Sequence, residues 1–418
     1  MRGRASLLVA ASLLVAVGCA AGQGASGSSS PASTPTPTET ATAVRTVQSE
    51  GAPTPGPVVT PAASPGGWRY AYVSDRPGSR LTGVTAAGPR EAWAAGSEGD
   101  RLLLLHHDGT AWRRADPPPG VPAVPEGADV RIAASGPDDV WLLLPVLGAD
   151  DQVEALTAVR WDGSAWHRVP GRIDSPYVAG FAVLGPDDAW AVSGSREAAH
   201  WDGRSWTKVP LPASASALGG SRSAGLWAVG FRSSGPGVTE SEMDQPAAMR
   251  WDGRSWRLVS TPTYAFARPK PPEGSATLDG VLVLGEDDVW AIGVHTFNHG
   301  EVDDEPADPP PILLHWDGRS WSRQNAPGGS HYCCPRLAAG PSGGVLIVTG
   351  GPRLRDTWRV AAPGGSAVPL PRLPAVPGLK RSQFFKVEGS ARSVETWAAG
   401  TLSADGGFWS RAAIAALP

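Results

Sequence analysis

An all-β ring of seven four-stranded sheets, closed by a strand from the chain's own N-terminal side, is the fold this sequence predicts. Three observations predict it. A tryptophan-bearing unit recurs along the chain, and each unit splits into four short apolar segments punctuated by turn residues. The last unit lacks a fourth segment, which an isolated tryptophan segment at residue 68 can supply. A four-stranded unit cannot bury both sheet faces alone, so such units stack on their neighbours as the blades of a β-propeller.

The unit is cleanest at residues 177–210, YVAGFAVLGPDDAWAVSGSREAAHWDGRSWTKVP. An apolar stretch leads to Gly-Pro-Asp-Asp and the strand AWAVSG; a variable loop, AAHW, the turn Asp-Gly and the closing strand SWTKVP follow. Proline after glycine suits the second position of a tight turn, and Asp-Gly suits a hairpin that needs positive φ. The second-strand tryptophan recurs as Trp93, Trp141, Trp190, Trp227, Trp290 and Trp397, with Leu346 in its place in the sixth unit. The intervals are 48, 49, 37, 63, 56 and 51 residues, a variation that belongs in loops.

Third strands carry Trp161, Trp201, Trp251, Trp316 and Trp409, and fourth strands open with Trp112, Trp166, Trp206, Trp256, Trp321 and Trp358. The remaining tryptophan is Trp68 in GGWRYAYVS, a fourth strand without the three before it, whereas the seventh unit stops at Pro418 with only three. Trp68 to Val73 is therefore expected as the outer strand of the last blade. Seven blades follow.

The repeated HWDGRSW reads as a structural staple. Its aspartate can accept backbone N–H bonds across the turn while the tryptophans pack between blades, each contributing a few kcal/mol by burial. A sugar platform would need tryptophans outside this register, and none remains. The Asp-Asp pairs at 138–139, 187–188 and 287–288 repeat at one turn, which favours turn-forming and strand-capping roles over a carboxylate dyad.

Upstream of the ring, residues 1–18 read as a lipoprotein signal peptide: Arg2 and Arg4, an apolar core from Ala5 to Val17, then Gly18-Cys19. The apolar core is too short for a spanning helix. The Gly-Cys junction resembles a bacterial lipobox, with Ala16 where leucine is usual, and the resemblance implies lipidation at Cys19. Residues 19–67 form a Ser/Thr/Pro-rich tether without an aromatic residue, expected to be disordered and to span roughly 40 Å. Lipid and tether together place residues 68–418, the propeller domain, outside the cytoplasmic membrane. Loss of the leader removes two arginines and leaves 34 bases against 40 acids, with no basic stripe, which argues against nucleic-acid binding. The arginine-rich basic composition suits a GC-rich, actinobacterial source.

The pattern DDVWAIG with HWDGRSW resembles tectonin repeats and, more loosely, the Asp-box hairpins of sialidase-like propellers, over residues 68–418. Asp-boxes carry one more residue between aspartate and tryptophan. The resemblance implies a propeller fold and a structural hairpin, away from any catalytic centre. A WD40 reading is set aside because Trp-Asp here precedes a turn glycine instead of ending a strand.

Function is therefore sought in the variable loops on the face opposite the Asp-Gly hairpins. The long loops of blades four to six hold Tyr264, Phe266, Arg268, His295, His299, Glu301 and His331, the candidate ligand-binding set. His295, His299 and Glu301 have metal-ligand chemistry, but the order matches no metal motif and the segment reads as a solvated acidic loop; no metal or cofactor is expected. Cys333-Cys334 is expected to oxidise to a vicinal disulfide outside the membrane. No nucleophile elbow, phosphate loop or dinucleotide fingerprint is present. The leading reading is a monomeric, membrane-anchored binding or scaffolding propeller for a protein or glycan. The alternative, a hydrolase or lyase acting on extracellular polymer, requires acids, histidine and arginine converging on the axis, where the inner strands instead read apolar and small.

Overall fold

In the computed structural model, the described residues are 60–418 apart from 122, 126, 234–243, 267–273, 298–308, 328–334, 342, 350–353, 355, 380, 390–392 and 404–409. Cys19 and most of the tether, with Arg268, His299, Glu301, His331, Cys333, Cys334 and Trp409, lie outside them.

Seven antiparallel sheets of four strands form the fold. Blades one to six occupy residues 79–114, 131–173, 180–210, 214–259, 275–323 and 336–369 in simple meander order, and blade seven begins at 381. Its first three strands are Arg381–Glu388, Thr396–Ser403 and Ser410–Leu417, and the fourth is Arg69–Val73, paired antiparallel to Ser410–Leu417. The ring closes as the sequence predicts. Trp68 stands one residue ahead of that strand and is fully buried among Leu346, Phe384 and Leu402, where its indole N–H donates to Thr357 Oγ1 of blade six at 3.1 Å. The closing residue thus bolts the sixth blade to the seventh.

One assignment is corrected. Trp358 lies in the third strand of blade six, Asp356–Val360, opposite Ile347, and the fourth strand is only Val368–Pro369. In that register Val360 stands where other third strands carry tryptophan, because the two-residue Asp-Gly turn is absent from this unit. Blade seven likewise has Leu417 at that position.

Each second-strand tryptophan packs across to the next blade. Trp190 meets Trp251 and Trp256 of blade four with centroids 4.8 and 5.5 Å apart, and Trp227 meets Trp316 and Trp321 of blade five at 5.2 and 5.3 Å. Trp397 carries the contact across the closure to Trp112 of blade one at 5.1 Å. The second aspartate of each Asp-Asp pair has a more specific duty than the turn alone. Asp188 accepts the indole N–H of Trp190 at 2.7 Å and contacts His200 Nε2 at 3.1 Å, while the His200 ring stacks on Trp190 at 3.8 Å. Asp288 makes the same two contacts to Trp290 and His315, with the imidazole tilted 52° to the indole at 4.8 Å, and Asp139 makes them to Trp141 and Arg160. In blade four Gly225 replaces the carboxylate, and Arg250 keeps only its position over Trp227.

The Asp-Gly hairpins are the expected staples. Asp202 Oδ1 accepts the N–H groups of Arg204 and Ser205, both at 2.9 Å, and Asp162, Asp252 and Asp317 bind their turns alike. Gly203 sits at φ 89°, the left-handed region glycine tolerates. The Ser205 N–H, foremost, holds the Asp202 carboxyl below the usual carboxylate range, as the Ser320 N–H does for Asp317.

Candidate functional site

The loop face joins the ends of second strands to the connections between blades. On it, the second strand of blade five, Val289–Thr296, delivers His295, and the connection between blades four and five delivers Tyr264 and Phe266. These three of the expected residues come together: His295 lies 5.4 Å from the Tyr264 ring, edge-on, and 4.3 Å from Phe266.

Local physics fixes the connection. The buried Gln245 side chain donates to the Tyr264 carbonyl at 2.9 Å and accepts the Tyr264 N–H at 2.8 Å, a pair of bonds like those of a neighbouring strand. Thr261 Oγ1 adds a bond to the Pro246 carbonyl at 2.8 Å. The loop is thereby docked on blade four before it reaches blade five.

Two members of the cluster escape a reading of the sequence. Phe297, one residue past the end of that strand, is 6 % exposed and meets Phe266 edge-on at 5.7 Å. Arg323, the last residue of blade five's outer strand, lays its guanidinium 4.4 Å from the Tyr264 centroid and donates to the Thr263 carbonyl. The alternation His-x-Phe was visible. Arg323 was not, because nothing local links an outer-strand end to a loop 60 residues earlier.

The result is a ladder: guanidinium, phenol ring, imidazole, phenyl, phenyl. Burial raises the Tyr264 phenol above its ordinary value, with Arg323 opposing. Burial first, and the Arg323 charge second, lower His295. Among the described residues its buried Nε2 has no hydrogen-bond partner. Such a surface offers flat apolar area, one exposed cation and one unmet polar atom. Among the described residues no group of histidine, cysteine and carboxylate could hold a metal ion.

A second concave region lies on the ring axis. A cavity of about 520 Å³ opens there on the hairpin face, walled by the ends of all seven inner strands. Its charged members are Arg222, Lys386 and Glu388, and no histidine lines it. Among the described residues its walls do not bring acids, histidine and arginine together.

No family model matches the chain, and no curated protein matches it in sequence. Solved structures do resemble it. The WD40 repeats of RRP9 share 13% identity at a TM-score of 0.52, covering 87% of this chain and 99% of that one. The structure of U3-55K shares 12% at 0.51, covering 85% and 100%. The extracellular domain of the one-component system protein BT4673 from B. thetaiotaomicron shares 10% at 0.50, covering 84% of this chain and 40% of that one. At these identities the likeness establishes the fold, a β-propeller of repeated four-stranded blades.

Proposed function

We propose that this chain is an extracytoplasmic, membrane-anchored propeller that binds a protein or glycan ligand, with the contact centred on the loop face at blades four and five. The observation that supports it is the ladder of Tyr264, His295, Phe266 and Phe297 capped by Arg323. Tyr264 also packs on the core between blades four and five, whereas Phe266 joins none of the inter-blade clusters. Aromatic rings and arginine are the side chains that concentrate binding energy at interfaces.

The test uses point variants. Replacing residues 295–308 by a linker, the obvious loop swap, would also cut His295 and Thr296 out of their pairing with Ala276 and Ser275 and unfold a strand end. Phe266→Ala with Arg323→Gln avoids this. Glycan-array and envelope-protein capture should be lost in the double variant and retained in Asp252→Ala on the hairpin face. Capture that survives the first and fails in the second places the contact on the other face. For the anchor, Cys19→Ser should move the protein from the membrane fraction into the medium or halt maturation; unchanged retention in the membrane refutes lipidation there.

A further inference from the structure

The axial cavity differs from the aromatic ladder in chemistry as well as in place. Its exposed wall is mostly polar. Each inner strand is the first of its sheet and pairs on one side only, so its free edge turns to the axis. Alternate residues of such an edge present an N–H and a C=O outside the ladder. At Gly88, Gly219, Gly220 and Gly389 the wall is bare backbone.

Hydroxyl groups add to this. Ser221 and Ser223 share a bond at 3.2 Å, which engages one of their two hydroxyl protons. Ser135 Oγ donates to Asp139 at 2.5 Å and keeps lone pairs to accept with. The charged groups stand in pairs, Lys386 with Glu388 at 3.2 Å and Arg222 with Asp187. All four of these side chains reach solvent, so each can take a further hydrogen bond while their charges sum to zero. Among the described wall residues the aromatic ring is that of Phe181, which is partly buried.

Backbone donors and acceptors, hydroxyls, charged groups of no net charge and one aromatic ring suit a compact polyol with apolar C–H faces. An alkyl chain would strand the polar wall without partners, and a ligand of net charge would have to displace a member of an ion pair. A volume of about 520 Å³ lies within the roughly 300–1,000 Å³ typical of small-molecule sites.

We propose that this cavity is a second binding site, independent of the loop face, that takes a small uncharged saccharide. Hydroxyls of the sugar replace water on the strand edges, the serines and the Lys386–Glu388 pair.

The experiment is ligand-observed NMR titration of the full chain with glucose, galactose, maltose and trehalose, and with glucuronate and glucosamine as charged forms. At least one neutral sugar should bind, and more tightly than either charged form. Lys386→Ala with Glu388→Ala removes two charged hydrogen-bonding groups and leaves no orphaned partner in that pair. It should weaken the sugar by about tenfold or more, with the melting temperature near that of the parent. Phe266→Ala should leave sugar binding unchanged. The proposal is overturned if no neutral sugar binds, if a charged form binds as tightly, or if binding survives intact in the folded double variant. Should that variant not fold, crystals of the unaltered protein soaked with the tightest sugar decide the matter. Density should lie against Phe181 and Lys386; a sugar seated only at Tyr264 and Phe266 overturns the site. Because Phe266→Ala separates the two faces, loss of ligand capture at the ladder would leave this site standing, and the reverse.

Discussion

Blades three and five carry the same staple and do different things with it. Both have the carboxylate–tryptophan–histidine set, Asp188, Trp190 and His200 in one and Asp288, Trp290 and His315 in the other. Both have a bound Asp-Gly turn. They part at the third residue after the tryptophan. Blade three has Ser193 there and an inner strand of 6 residues, Gly180–Gly185. Blade five has Gly293 and an inner strand of 9, Ser275–Val283, in which Asp279 is an extra residue opposite the Gly293–Ile292 step. The glycine is required: a Cβ on it would overlap the Thr277 carbonyl. Blades one, four and seven share the device, with Gly96, Gly230 and Gly400 opposite bulges at Thr82, Ser216 and Phe385. A bulge of this kind bends and re-aims a strand. In blades three and five the staple fixes the outer part alike, and variety enters at the inner strand and the loops.

The first way to sharpen the contrast is to strike what the blades share. Trp190→Ala and Trp290→Ala each delete a side chain at 1% exposure that bridges to the next blade. Each should cost about 3–5 kcal/mol, the usual range for a buried aromatic, read as a lower denaturant midpoint. Near-equal losses support a common staple; a loss confined to one blade would show that the repeat is not energetically uniform.

The staple was also the legible part. Its period, its hairpin glycine and its closing tryptophan can all be read because they are local or repeated, and blade closure followed from an unmatched Trp68. Trp358 was misplaced because spacing to the previous tryptophan was the only guide once the Asp-Gly turn disappeared. The bulges were hidden in a motif as short as Trp-Ala-x-Gly, whose glycine is explained only by a carbonyl on a partner strand. At the site, Tyr264, Phe266 and His295 were read as loop residues; His295 instead ends the second strand of blade five, and Tyr264 packs on the core between blades four and five. Arg323 and Gln245 were missed because they act across strands, at ranges of 60 and 19 residues, through a stacked ring and a side-chain imitation of backbone.

The second contrast lies in the glycine itself. Gly293→Ala must push the inner strand away from Thr277, and overpacking of this kind costs about 1–3 kcal/mol. Ser193→Ala in blade three meets no bulge and should stay within about 0.5 kcal/mol of the parent. Crystallography of Gly293→Ala should show the bulge displaced. Equal, small effects at both positions would mean that the bulge is soft and has no part in shaping the axis.

The smallest expected effect is also the most selective, because blade three has no counterpart of Asp279. Burial raises this carboxyl to about 6 in the folded chain, with a weak opposing bond from Thr277 at 3.4 Å, whereas in the unfolded chain it titrates near the ordinary aspartate value of about 3.9. Below about pH 4 both states hold the proton, and the residue takes nothing from stability. As pH rises from about 4 to 6 the unfolded chain ionises first, so stability falls, and above about 6 the deficit levels off. Asp279→Asn removes that titration. It should match the parent near pH 4 and exceed it at pH 7 by about 1–2 kcal/mol, an allowance made for the residue's partial exposure. The difference between the two proteins isolates this one group, since the hairpin aspartates, which lose stability towards acid, titrate alike in both. Denaturant midpoints at half-unit steps from pH 4 to 7.5 measure it. A gap that stays constant over that range would show that Asp279 is solvated like a surface carboxylate.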